Sequence, residues 1–312
     1  MILAITGQQV RQLTVNGLIN GAEFGLLAVG FALMLGVVGR FNFAYAWIYA
    51  LGGYFALFFA DPARLGLNIW LGMLLGIMCA AVVGVATEAA IFAPVARRAG
   101  PSALMTVFIA SLGLAIIGEN LIRLFWGSAP LNFFPALQEV GFKVKPIRSW
   151  GTVITNVKLF KAVSCASAVL VVAGVLRFTG LGREIKATRS NPELAGVLGI
   201  ATRRVHLIVF AIASAMAGLA GFWVGVEFSL QPSMGFQALF FGVVAAFLAG
   251  PASSPIKIFL AGVALALIEQ YATLWIDSQR AQLVVFAVLL VYLVGRSFDL
   301  VALPKRLLRS AT

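Results

Sequence analysis

Asn16, Asn20 and Glu23 are spaced four and three residues apart, so on a helix they form one polar stripe within an otherwise apolar run. Polar groups at membrane depth face either a bundle interior, where they hydrogen-bond between helices, or a wet cavity along a path. Both uses fit this stripe. Glu88, Glu119 and Glu269 are further acidic residues in or near apolar runs. Glu119 precedes Arg123 by four residues, the spacing of an ion pair on one helix face. Glu88 stands near the end of its run and is expected to reach water, which leaves Glu23 and Glu269 as the deeper carboxylates. Asn42 belongs to GRFNFAYAWIYALGG, Gly39 to Gly53, where polar residues interrupt two apolar runs. Such a stretch is either a tight turn or a helix broken within the membrane, where transporters place substrate routes.

Enzymatic chemistry finds no constellation. The chain contains no Gly-Lys pair, and therefore no P-loop for ATP. His206, the one histidine, lies near Arg203 and Arg204 at the edge of an apolar run, and no motif ties a serine or cysteine nucleophile to it. Cys79 and Cys165 sit in apolar runs as small core residues and make neither a disulfide framework nor a metal site. No catalytic residue, metal ligand or cofactor is assigned.

The elements that must position these groups are membrane helices. Of 312 residues 61% are hydrophobic, and the mean hydropathy of +1.00 is beyond what a soluble fold sustains. Apolar runs fall near 13–39, 43–60, 67–93, 102–126, 161–178, 205–228, 236–249, 256–276 and 281–300. Most are long enough to cross roughly 30 Å of hydrocarbon as helices, and they lack the alternation of membrane strands. The seventh is short, so eight spans plus a partial one fit as well as nine. The expected fold is all-α: a polytopic membrane protein with about 8 to 9 transmembrane helices in one domain, residues 1–312. Paired glycines, Gly72 with Gly76 and Gly218 with Gly221, read as places of close helix approach.

The net charge of +12 comes from Lys and Arg scattered through loops and the C-terminal tail, which points to a positive inner face and away from nucleic acid. Placing Thr179 to Arg204 in the cytoplasm also puts Arg97, Arg98, Lys257, Arg296, Lys305, Arg306 and Arg309 there. The exception is an external loop at about 127–160, which carries Lys143, Lys145, Arg148 and Lys158. The N-terminus, MILAITGQQVRQL, has no cleavable-signal pattern and would lie outside.

One segment is strongly polar: 179–205, with seven charged residues in a chain where 11% are charged. Within it Ser190 and Glu193 have the spacing of a capping box, and Pro192 falls in the first helical turn. Leu194, Val197 and Leu198 share a face, and Gly199 is placed to end the helix. A stub of about two turns is too short to be stable in water alone and is expected to dock on something.

Glu193-x-Ala195-x-x-x-Gly199 resembles the E-A-A-x-x-x-G signature in the cytoplasmic coupling loop of ABC importer permeases. The wider setting is similar to the branched-chain amino-acid permease family, in its shorter permease type: the run from Asn16 to Ala46, EAAIFAPVARRAG from Glu88, the segment from Gly182 to Ile200, and Ile268 to Gln270. The resemblance implies a permease of the bacterial inner membrane that works as a heterodimer with a second permease. Two ATPase subunits inside would supply energy, and an extracytoplasmic substrate-binding protein would deliver the cargo, branched-chain or other small amino acids. Ser190 and Glu193 would cap the coupling helix, whose Leu194, Ala195, Val197, Leu198 and Gly199 belong to the contact with the ATPase. Asn16, Asn20, Glu23, Asn42 and Glu269 are then path residues. Two departures bear on the cargo and leave the coupling loop untouched. Tyr45 and Ala46 stand where the family commonly has His and Gly after Asn-Phe-Ala, and Ala249 to Ile256 replaces a Gly-Gly-x-G-S-x-P-G pattern. The same machinery importing urea, another amide or a sugar stays open, as does an ion-coupled secondary transporter with Glu23 or Glu269 as proton carrier.

Overall fold

Thirty-two residues without a proline form one uninterrupted helix, α1 (Gly7–Val38), against which the later apolar segments from residue 156 onward pack, while the segments at 69–87 and 103–126 pack on that at 45–60. The computed structural model describes residues 7–139, 145–149, 152–277, 283–288 and 290–292. Lys143 and the tail with Arg296, Lys305, Arg306 and Arg309 lie outside those residues, as does part of the ninth apolar run.

Among the described residues, six helices are long and apolar enough to cross a membrane: α1, α3 (Ile69–Thr87) with its continuation, α5 (Ala103–Trp126), α7 (Asn156–Phe178), α10 (Thr202–Glu227) and α12 (Pro255–Ala272). α3 runs through a π turn, Glu88–Phe92, into α4 (Ala93–Ala99). The second, seventh and ninth runs are shorter apolar helices: α2 (Tyr45–Ala60), α11 (Met234–Ala249) and Leu283–Tyr292. α2 and α11 have 16 residues each, about 24 Å of helix. Both bury most of their surface, which is why they are apolar all round. The outer face of α3, α5 and α7 is apolar and exposed, as in helices that meet lipid.

The close approaches expected of glycines are present. A Cβ on Gly52 would meet the Gly218 Cα at 2.3 Å, and one on Gly221 would meet the Tyr49 carbonyl oxygen at 1.9 Å, so α2 and α10 touch backbone to backbone. The interruption at 39–44 is a turn that buries Asn42 and Ala44. Gly39, at φ +69°, ends α1, and the chain doubles back so that Asn42 Nδ2 reaches the Met34 sulfur at 3.6 Å. The freed backbone is satisfied by side chains, with the Phe43 N–H donating to Ser111 Oγ and the Ala44 N–H to Asn42 Oδ1.

The expected loop 127–160 is shorter than its sequence limits. It holds α6 (Phe134–Glu139) and a hairpin of β1 (Pro146–Ser149) with β2 (Thr152–Thr155), and α7 begins at Asn156. This hairpin is the only sheet among the described residues. Lys158 therefore belongs to a helix. The hairpin is tied to α1 by reciprocal bonds between Gln12 and the Val153 backbone, at 3.1 and 2.9 Å.

Candidate functional site

Two places hold the residues singled out by sequence. The first is at the end of the bundle where α7 begins and α10 ends. Lys161 Nζ is surrounded by three oxygens: Glu23 Oε2 of α1 at 3.1 Å, Glu227 Oε2 of α10 at 2.5 Å and Asn20 Oδ1 at 3.3 Å. Its side chain is 1% exposed. Tyr49 of α2 donates its hydroxyl to Glu23 Oε1 at 3.1 Å, and Lys158 reaches Glu227 Oε1 at 3.5 Å. Four helices thus meet through one buried polar network, the form in which charges are tolerated in apolar surroundings. Of the first-span stripe, Asn20 and Glu23 enter this network and Asn16 does not.

Beside the network lies a cavity of about 320 Å³ that Asn20, Glu23, Tyr49 and Lys161 share with Glu269 of α12. The non-helical stretch between α10 and α11 contributes Phe228, Ser229 and Gln231. Asn16 is outside this lining and pairs loosely with Gln12 at 3.4 Å, and Asn42 is engaged in the turn at 39–44.

The second place is the opposite end, where Arg189 donates to the Pro251 carbonyl at 3.0 Å. α8 (Gly180–Ser190) leads directly into α9 (Pro192–Val197). The capping box is not formed. Ser190 is the last residue of α8, and Asn191, extended at φ −156°, is the cap, its Oδ1 accepting the Leu194 N–H at 3.0 Å. Glu193 lies exposed in the first turn, where its charge still favours the helix N-terminus. Gly199, at φ +84°, closes the other end, with Gly199 N–H on Gly196 O and Ile200 N–H on Ala195 O, both at 3.0 Å. Ala195 is buried, whereas Leu194, Val197 and Leu198 are 59%, 84% and 74% exposed. Three large apolar side chains on one short capped helix form a contact surface with nothing against it in the described residues.

The sequence profile of the family described as "Branched-chain amino acid transport system / permease component" matches residues 13–294. The chain belongs to this family. It is 26% identical over 293 residues to the high-affinity branched-chain amino acid transport system permease protein LivH of Escherichia coli K12, covering 93% of this chain and 94% of that protein. Its likeness to BraD of Pseudomonas aeruginosa, a permease protein of the same kind of system, is 26% over 304 residues, 94% and 96% of the two chains. A nucleoside ABC transporter permease protein, NupB of Lactococcus lactis, is 27% identical over 262 residues, 78% of this chain and 68% of that one. No solved structure matches. The protein is therefore a multi-pass inner-membrane permease of an ABC importer; it is not itself catalytic and works with an ATPase and a substrate-binding protein.

Sequence reasoning passed over Lys161 and Glu227 in this permease. Each stands at the edge of an apolar run, where a charge is ordinarily a snorkelling end residue. Their signal was the spacing of Lys158 and Lys161, which puts two cations on one face of a helix. Glu88 does not reach water: it is buried in the π turn and paired with Arg40 at 3.5 Å, and Arg40 also donates to the Phe92 carbonyl. The pair expected between Glu119 and Arg123 is formed.

Proposed function

We propose that this permease forms the path for branched-chain or other small amino acids, and that α9 is the cytoplasmic coupling helix through which an ATPase drives it. The cavity beside Glu23 and Lys161 is the cargo path on this reading, with Asn20, Glu23 and Glu269 at its wall. A second, different permease would complete it as a heterodimer, two ATPase subunits would sit at the α9 end, and the substrate-binding protein would meet the hairpin end. The apolar face of Leu194, Val197 and Leu198 carries the coupling role. It has the length and shape of a helix laid in a groove, and burying each such side chain is worth on the order of 1.5–3 kcal/mol. Closing of the ATPase pair would favour one access state by the difference in its contacts with α9 between the two states.

A nucleoside cargo is the second reading, favoured by the likeness to NupB. Uptake by the assembled transporter in proteoliposomes separates the two. Leucine or isoleucine should accumulate only with ATP on the ATPase side, and uridine should not. Uridine uptake without leucine uptake assigns the cargo to the second reading. Accumulation driven by a proton gradient with the ATPase omitted overturns the coupling role of α9.

A further inference from the structure

The cavity beside α12 holds one charge that the fold leaves unmatched. Lys158, Glu227, Lys161 and Glu23 alternate in sign along contacts of 3.5, 2.5 and 3.1 Å, so two cations balance two carboxylates. Glu269 lines the same cavity, and its carboxylate has neither a cation nor a hydrogen-bond donor against it among the described residues. A carboxylate withdrawn from bulk water without a partner is costly, and a cationic group brought in from outside removes that cost.

The neutral part of the wall is as specific. Lys161 engages only the oxygen of Asn20, which leaves its NH₂ group to donate. Gln231, Gln237 and Gln270 also line the cavity, and their side-chain amides have no partner among the described residues. Phe24 and Phe241, stacked at 4.2 Å between ring centroids, make an apolar wall on the same cavity. The cavity thus presents one carboxylate without a partner, several amides and one apolar surface.

Resting on the reading of this cavity as the cargo path, we infer that Glu269 receives the ammonium group of a zwitterionic cargo. The cargo carboxylate takes the free amides, and its apolar side chain lies on Phe24 and Phe241. Lys161 takes no direct part, because its three donors already face oxygens. An uncharged nucleoside or sugar leaves Glu269 unmatched.

Two measurements on the complete transporter test this. Glu269→Gln, with nearly the same shape and no charge, should lower leucine uptake in proteoliposomes at least tenfold, and Glu269→Asp should retain more of it, with the ATPase co-purifying with each variant. In the wild-type complex, leucine should protect Glu269 several-fold from a hydrophobic carbodiimide, read by mass spectrometry of the labelled peptide, and uridine should not. Wild-type leucine uptake by Glu269→Gln, or labelling that leucine leaves unchanged, overturns the ammonium subsite while leaving the path in place. A transporter that takes uridine and no amino acid overturns both.

Discussion

At one end of the bundle Lys161 is 1% exposed among Glu23, Glu227 and Asn20; at the other, Val197 is 84% exposed on a six-residue helix. The two regions are opposite violations of the same rule. A charge in an apolar interior must find its counter-charges within the chain, since lipid supplies none. An apolar face in water finds no such relief from its own chain when the helix beneath it is only two turns long, and its cover must come from another protein. The first region is thus closed and structural, with a cavity at its side, and the second is open and transitive. What distinguishes them is where the missing partner resides.

The largest effect should come from opening the closed region. Lys161→Met removes the cation shared by Glu23 and Glu227 and leaves two buried carboxylates facing each other, a loss of about 3–5 kcal/mol. Thermal unfolding of the purified permease in detergent should show a markedly lower midpoint, and Lys161→Met combined with Glu23→Gln should recover part of it. A single variant as stable as wild type would mean that the network is solvated and not closed. Leu194→Asp acts on the open region and should do the reverse. Membrane insertion and unfolding midpoint should stay as in wild type, because Leu194 is 59% exposed. ATPase co-purification should fall by a factor of ~30 or more, the weight of a central interface residue worth about 2 kcal/mol. Retention of the ATPase at normal strength would remove α9 from the interface.

The same contrast explains what was legible beforehand. Helix positions follow from unbroken apolar length, so the runs at 13–39, 102–126 and 205–228 come out as α1, α5 and α10 within a few residues of their ends. The stripe of Asn20 and Glu23 was legible because helical periodicity assigns a face without knowledge of any partner. What occupies that face was not, because Lys161 lies 138 residues from Glu23 and no local pattern carries a contact across such a distance. Glu88 was misread for a related reason: its position near a run's end implied water, but the π turn and Arg40, 48 residues away in sequence, hold it inside. The exposed apolar face of Leu194, Val197 and Leu198 was legible because an apolar stripe on a short capped stub is a local property. Limits of 16 residues on α2 and α11 were nearly visible as well, and only burial shows that these two helices lie within the bundle.

The smallest effect concerns one residue of register in the open region. Ser190-Asn191-Pro192-Glu193 offers two residues of N-cap type, and the Ser190–Glu193 spacing favours the first. Pro192 reverses that choice. A proline at the first helical position makes the residue before it the cap, and the same proline drives that residue into extended backbone, as found for Asn191. Ser190 is then free to finish α8, whose ladder closes with the Asn191 N–H on the Ala187 carbonyl at 3.1 Å. Asn191→Ala should therefore loosen α9 by about 1 kcal/mol, read as faster amide exchange over 192–198 and a few-fold weaker ATPase association, whereas Ser190→Ala should leave both unchanged. Equal effects from the two substitutions would return the cap to Ser190, and with it a helix one residue longer at its N-terminus.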